Sequence, residues 1–302
     1  MTDLADLEIT DCHHHLWDLK ANYYPWLTDR ITHRVCGEYS AIRKDYLIGD
    51  FLRDASGLNL VRSVHVQAEH DHRDPVRETR WLQSVADTAG SSGVPHGIVA
   101  YVDFLRPDID SVLDGHCQFR NTRGIRQMLH EALVDPLNPR PSLIEDPVWR
   151  RQFQRIRNYP LSFDLQVYYP RMDQAFELVK ENPDVSFVLC HMGQPARRDE
   201  EGIAGWRSGM RKLAQLPNLC VKLSGIGMFD RAWTVDSLRP FVLDTIDAFS
   251  PRRCLFASNF PVDSMAGNYS RLWTAYSVIT AEFTREERAR MFSCNARRVY
   301  RV

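Results

Sequence analysis

The stretch Leu7-Glu8-Ile9-Thr10-Asp11-Cys12-His13-His14-His15 is a short run of strand-forming residues that ends in three histidines, and runs of similar length recur along the chain. They cover residues 61–68, 97–104, 122–128, 161–168, 185–192, 219–225 and 254–261. Segments with helical spacing lie between most of them. Residues 74–88 carry Glu78, Trp81, Leu82 and Val85 on one helical face, and 171–181 carry Ala175, Phe176, Leu178 and Val179. Alternating strands and helices imply parallel strands joined by right-handed crossovers, and eight such units in 302 residues predict a closed (β/α)8 TIM barrel of the α/β class. No G-x-G-x-x-G follows the first run, which weakens a doubly wound open sheet.

Composition narrows the function classes. The chain is 44% hydrophobic and 25% charged, as expected of a globular protein, and its 38 Lys+Arg balance 39 Asp+Glu. That balance removes the cationic face a nucleic-acid binder needs, so the expected partner is a small-molecule substrate. No apolar window reaches the roughly 20 residues that cross a bilayer, and the first ten residues are acidic where a secretory signal would be basic and then apolar. A cytoplasmic location without membrane contact is the expectation. The seven cysteines are scattered with no C-x-x-C pair, which reads as reduced core thiols. With no repeat or linker, residues 1–302 read as one barrel domain with a C-terminal helix over 284–300, docked through Met291, Phe292 and Val299. Oligomeric state has no signature in the chain.

Long irregular stretches at 20–46 and 135–146 follow strands, which in a barrel is the mouth where loops build the site. The aromatic residues after the first strand, Trp17, Tyr23, Tyr24 and Trp26, are therefore expected to flank the pocket. Side chains alternate along a strand, so Asp11, His13 and His15 should share one face while Cys12 and His14 share the other. Two imidazoles converging at a strand end can seat one divalent ion. In the second run, Val64, Val66 and Ala68 alternate with His65, Gln67 and Glu69. The apolar set should face the helices and the polar set the interior, with Gln67 and Glu69 near the mouth. The fifth run repeats the pattern with Asp164, Gln166 and Tyr168, and a hydrated pocket or a hydrogen-bonded polar layer would satisfy either set. His191 ends the otherwise apolar sixth run, Arg126 the fourth, and Lys222 and Ser224 the seventh. Two cations at the mouth suggest an anionic substrate, although Lys222 could equally serve a salt bridge.

Several motifs together resemble the lactonase branch of the amidohydrolase superfamily. They are Asp11-Cys12-His13-His14-His15-Leu16-Trp17-Asp18, Tyr24-Pro25-Trp26-Leu27, Val64-His65-Val66-Gln67-Ala68-Glu69, Glu78-Thr79-Arg80-Trp81-Leu82, Cys190-His191-Met192-Gly193 and Phe256-Ala257-Ser258-Asn259-Phe260-Pro261-Val262-Asp263. The H-x-H is common to the superfamily, whereas H-H-H-L-W-D with S-N-F-P-V-D is specific to the branch. The resemblance implies a distorted barrel that hydrolyses a cyclic ester, with His13, His15 and His191 at the positions that bind or face a metal in metal-using relatives. Superfamily members usually carry a metal-binding, proton-transferring aspartate at the end of the eighth strand. Asn259 stands there in this chain, and an amide takes no proton from water near neutral pH.

The general base is thereby left open among Asp164, Glu69, His65 and water activated by an ion on histidines alone. Arg126, Gln127 and His130 leave the fourth strand without a bridging carboxylate or lysine, which argues against a binuclear centre. One Zn²⁺ on three neutral imidazoles would suffice. Metal-free members of the branch exist, and in them the histidines would donate to the carbonyl or the oxyanion. The expected activity is hydrolysis of a small, anionic sugar-acid or muconate-type lactone. His13, His15, His191, Asn259 and Asp164 would be catalytic, and Gln67, Arg126, Tyr168, Lys222 and Trp26 would bind substrate. A decarboxylase or lactone isomerase on the same barrel is the alternative, and a non-catalytic binding barrel a third reading motivated by Asn259 alone.

Overall fold

A computed structural model describes residues 4–31, 36–129 and 143–302. Eight strands occur among them, at the eight places the sequence marks: β1 Ile9–His14, β2 Leu60–Val66, β3 Gly97–Tyr101, β4 Thr122–Arg126, β5 Ser162–Leu165, β6 Phe187–Leu189, β7 Leu219–Leu223 and β8 Cys254–Phe256. They pair in sequence order, every neighbour parallel. The fold is the TIM barrel that the strand–helix alternation predicts.

The sheet closes through the segment after β8 rather than through β8 itself. Asn259 N donates to His13 O at 2.7 Å, and His15 N donates to Phe260 O at 2.7 Å. Ser258 adds its backbone N–H at 3.0 Å and its hydroxyl at 2.6 Å to the Asp11 carboxylate, which also accepts the Tyr269 hydroxyl at 2.9 Å. The two motifs most telling in the sequence are thus the two edges of one seam.

Strands of a barrel are buried on both faces, so alternation alone does not say which face looks inward. In β2 the sequence expectation is reversed. Val64 and Val66 pack in the interior with Cys12, Val99, Val188 and Leu255, because the axis of an eight-stranded barrel is filled by layers of branched side chains. His65 points the other way, where its Nε2 lies 3.3 Å from Leu16 O, and burial lowers its pKa to about 3. In β5 the expectation holds. Phe163 and Leu165 join the outer core while Asp164 lies inside.

A register shift between Asp11 and His14 places three steps of β1 against two of β2, the signature of a β-bulge. The bulge breaks the expected alternation. Asp11 turns outward to the β8 seam and Cys12 joins the interior cluster. His13 and His15 lie together at the mouth, and His14 faces outward, stacked on Phe51 of helix Ile48–Asp54 at 4.1 Å between ring centroids.

The opposite end of the barrel is plugged by the chain terminus. Arg285–Ala289, a π-turn over Arg290–Cys294 and Asn295–Tyr300 follow one another, with Met291 and Phe292 buried as expected. Ala296, Val299 and Tyr300 enter the interior cluster. Of the two long loops, residues 32–35 of the first, and His130 and 135–142 of the second, lie outside the described residues. The described end of the second starts helix Pro147–Phe153, whose Asp146 cap accepts from Val148 N and Trp149 N at 2.7 and 3.0 Å. Among the described residues, no helix is long and apolar enough to cross a membrane.

His14→Ala removes a buried stacked ring remote from the mouth. It should lower the unfolding free energy by about 2–4 kcal/mol, the usual cost of a large-to-small core change, in urea titrations. Turnover per folded molecule should stay within about twofold, because the ring points away from His13 and His15.

Candidate active site

A cavity of about 110 Å³ opens at the C-terminal mouth of the barrel. Its polar lining consists of His15, Glu69, Arg126, Gln166, His191 and Asn259, with Gln194 beside them. Its apolar wall includes Trp26, Ala68, Met128, Tyr168, Met228 and Val262. His13 lies directly behind, with ring centroids 5.1 Å from His15 and 4.5 Å from His191.

Each side chain is held by a local device. His15 is fixed by a 2.7 Å hydrogen bond between Nδ1 and Val66 O, which leaves Nε2 for the cavity. His191 sits just beyond β6 with φ 54°, its Nδ1 2.9 Å from Ser224 Oγ. Gly225 makes that seat possible, since a Cβ there would lie 2.5 Å from His191 Nδ1. Arg126 closes β4 and donates through one terminal nitrogen to Gln166 Oε1 at 2.8 Å and through the other to Gln67 O. Trp26 donates its indole N–H to Ala68 O at 2.8 Å.

Left-handed backbone is costly for residues other than glycine, and four of the eight such residues among those described lie at the cavity. Glu69 (φ 57°), His191 (φ 54°), Gln194 (φ 52°) and Asn259 (φ 58°) all adopt it, and all four line or adjoin the cavity. Some of the buried polar atoms without partners lie there too. Among the described residues, both ring nitrogens of His13, Arg126 Nε and Gln194 Oε1 have none. Such atoms cost about 1–3 kcal/mol each when unmet, so the four at the mouth gain from a polar ligand.

Burial and the nearby cations Lys222 and Arg126 push the pKa values of His13 and His191 well below the usual imidazole range. Burial, Arg126 and His65 do the same for His15. All three are neutral near pH 7, which is the form that ligates a metal. His13 keeps two unmet nitrogens, and His15 and His191 are each bonded through Nδ1 only, but the ligand atoms of these three do not all lie within 4.8 Å of one another. Among the described residues, the group whose ligand atoms do come that close is His13, Asp164 and Cys190. That set is already committed. Asp164 accepts Lys222 Nζ at 2.5 Å and the Tyr300 hydroxyl at 2.8 Å, and burial raises the Cys190 thiol to about 12.

The remaining sequence-marked residues fall in distinct places. Trp26, Arg126, Tyr168 and Asn259 reach the cavity, but Trp17 and Tyr24 are buried behind it and Tyr23 is exposed. Gln67 contributes only its backbone oxygen, to Arg126, while its amide donates to Glu69 Oε1 at 2.6 Å. Lys222 and Asp164, marked for substrate and catalysis, are fully buried inside the barrel as an ion pair. The lysine is the salt-bridge partner, not a free cation at the mouth. Of the base candidates, His65 points outward and Asp164 is paired, so Glu69 is the one that lines the cavity. Burial would raise its pKa, but His72 at 3.5 Å, Arg126 and Gln67 more than offset this and hold the carboxyl below its ordinary value.

Two contributors carried no sequence signal, Gln194 and Met228, and a third, Asp263, stood in a quoted motif without an assigned role. Asp263 is buried one turn beyond Asn259 and accepts its Nδ2 at 2.9 Å and Gly227 N at 3.3 Å. Burial raises its pKa to about 7 against the pull of those two donors.

A family profile described as amidohydrolase matches residues 10–302. The chain belongs to the amidohydrolase family. Among its relatives is the uncharacterized protein y4mH of Sinorhizobium fredii, 44% identical over 302 residues that span 99% of this chain and 100% of that one. An L-fucono-1,5-lactonase of Burkholderia ambifaria is 26% identical across 97% of this chain and 95% of its own length. A solved Burkholderia multivorans amidohydrolase with bound zinc superposes with a TM-score of 0.80 at 23% identity, covering 97% of this chain and 99% of that one. This last likeness supports the shared barrel.

Lys222→Met strands the Asp164 carboxylate inside an amidohydrolase barrel. Loss of one partner of a fully buried pair should cost about 3–5 kcal/mol of stability, measured by denaturant unfolding. Adding Asp164→Asn should recover part of that loss. A rise in KM without a stability change would instead assign Lys222 to substrate.

Proposed function

We propose that the protein opens the ring ester of a small lactone by attack of activated water. The observation that carries this reading is the convergence of two neutral histidines, one arginine and one ionised carboxylate on a single cavity, with a third neutral histidine, His13, directly behind them. The L-fucono-1,5-lactonase relatives support a lactone over other cyclic amides and esters.

In this reading Glu69 takes the proton of the attacking water, whose oxygen bonds to the ring carbonyl carbon. The ring carbon–oxygen bond then breaks, and the departing oxygen receives the proton. Arg126, with Nε unmet, binds an acid or carbonyl oxygen of the substrate. Trp26, Tyr168 and Met228 cover the ring and keep out competing water. His13, His15 and His191 are the residues that would hold a divalent ion, zinc being well suited to an all-imidazole set, and its chemistry there is polarisation of the carbonyl. Arg126 is the only cation lining the described cavity, and Glu69 faces the same space, so a lactone with one acid group fits better than one with two.

A screen of sugar-acid and muconate-type lactones, read by proton release, tests the reading. Ring opening with uptake of one equivalent of base supports it, whereas carbon dioxide release from an aromatic acid without lactone turnover rejects it. Glu69→Gln should lower kcat by about 10²–10⁴-fold with little change in KM, as loss of a general base does. His13→Ala and His15→Ala should each remove most activity, and the double variant little more, since groups serving one ligand are non-additive. Metal analysis of tag-free protein should find less divalent ion in either single variant than in the parent.

A further inference from the structure

Asn259 and Asp263 form a pair whose arrangement the lactonase reading does not explain. Both are buried, and they lie four residues apart where the chain turns from β8 into the short helix Val262–Met265. The backbone locks them in place: Asp263 N donates to Asn259 O at 3.1 Å, and Asn259 N is tied to His13 O across the seam. Asn259 takes a left-handed φ of 58°, a conformation Asn and Asp tolerate better than most residues. Gly227 completes the arrangement. A Cβ there would lie 2.7 Å from Ala266 Cβ and 3.2 Å from Asp263 Cγ, so only glycine lets its N–H approach the carboxylate.

An asparagine amide can present either its oxygen or its NH₂ to a cavity, and its neighbours choose. Above its pKa of about 7 the Asp263 carboxylate is ionised and only accepts, so its Oδ1, 2.9 Å away, binds the Nδ2 end. Asn259 lines the cavity, and the end left for it is Oδ1. We propose that Asp263 is a positioning residue that fixes the Asn259 amide with its oxygen toward the cavity, so that the end of the eighth strand offers the attacking water a hydrogen-bond acceptor although it carries no carboxylate. The role assigned to the water rests on the lactonase reading. The amide orientation does not.

The exchange of the two groups is the decisive variant. Asp263→Asn puts an amide opposite an amide, and Asn259 is then free to turn its NH₂ to the cavity. Asn259→Asp with Asp263→Asn restores an oxygen acceptor at 259 and a donor at 263, in the same space and with the same net charge. With a lactone the parent hydrolyses, at about pH 8.5 where Asp263 is ionised, Asp263→Asn should lose about 10–100-fold in kcat with KM within about twofold, the pattern of an interaction made in the transition state. The exchange variant should recover kcat to within about tenfold of the parent, which a merely structural role for Asp263 would not produce. Asparagine-selective ¹⁵N labelling reads the orientation without turnover. The Asn259 side-chain NH₂ signals, assigned by their absence in Asn259→Asp, should exchange slowly with solvent in the parent and rapidly in Asp263→Asn. Failure of every lactone overturns the functional reading and leaves the labelling experiment to decide the orientation. Unchanged amide exchange in Asp263→Asn, or an exchange variant no better than Asp263→Asn, overturns the proposal.

Discussion

The seam between β1 and the segment after β8 is the constraint on which the rest depends. Strands β1 to β8 pair along their lengths, but the barrel closes only where Ser258, Asn259 and Phe260 bond to Asp11, His13 and His15. A parallel sheet buried on both faces leaves no water to satisfy an open edge, so this joint is obligatory. The same backbone atoms that close the sheet belong to residues whose side chains or neighbours reach the cavity. Closure and site assembly are therefore one event, and Asp11, whose pKa burial raises to about 6 against the pull of its donors, is its anchor.

The site sits above a buried, ion-paired floor. Below the histidines, Lys222 and Asp164 neutralise each other, with Tyr300 from the chain terminus bonding the same carboxylate. Burial lowers the lysine pKa, but Asp164 more than offsets this and keeps the ammonium charged. The pair costs desolvation energy and gives little net stability, yet the cation beneath His13 and His191 helps hold their imidazoles neutral. An apparent substrate-binding lysine thus acts on the site through its field.

Strain and unmet polarity coincide at the mouth. Four left-handed residues, Glu69, His191, Gln194 and Asn259, line one cavity, and His13, Arg126 and Gln194 keep buried atoms without partners there. Neither feature favours folding. Both are affordable because the surrounding barrel, with its filled valine layers and plugged lower end, over-determines the backbone.

The sequence by itself determined the eight strands, their order and hence the barrel, because local β-forming runs and amphipathic helices repeat with a period that one topology satisfies. It also determined that His13 and His15 share a side opposite His14, since even a bulged strand keeps those neighbours apart. Only the tertiary structure decided which face of β2 looks inward, because both faces of a barrel strand are buried and Val64 fills the axis better than His65. It alone decided that Asp11 leaves the histidine face, since a bulge depends on pairing with β2. The fates of Lys222 and Asp263 were likewise invisible along the chain. One depends on a carboxylate 58 residues away and the other on the backbone of Gly227, and such partners are chosen by distance in space.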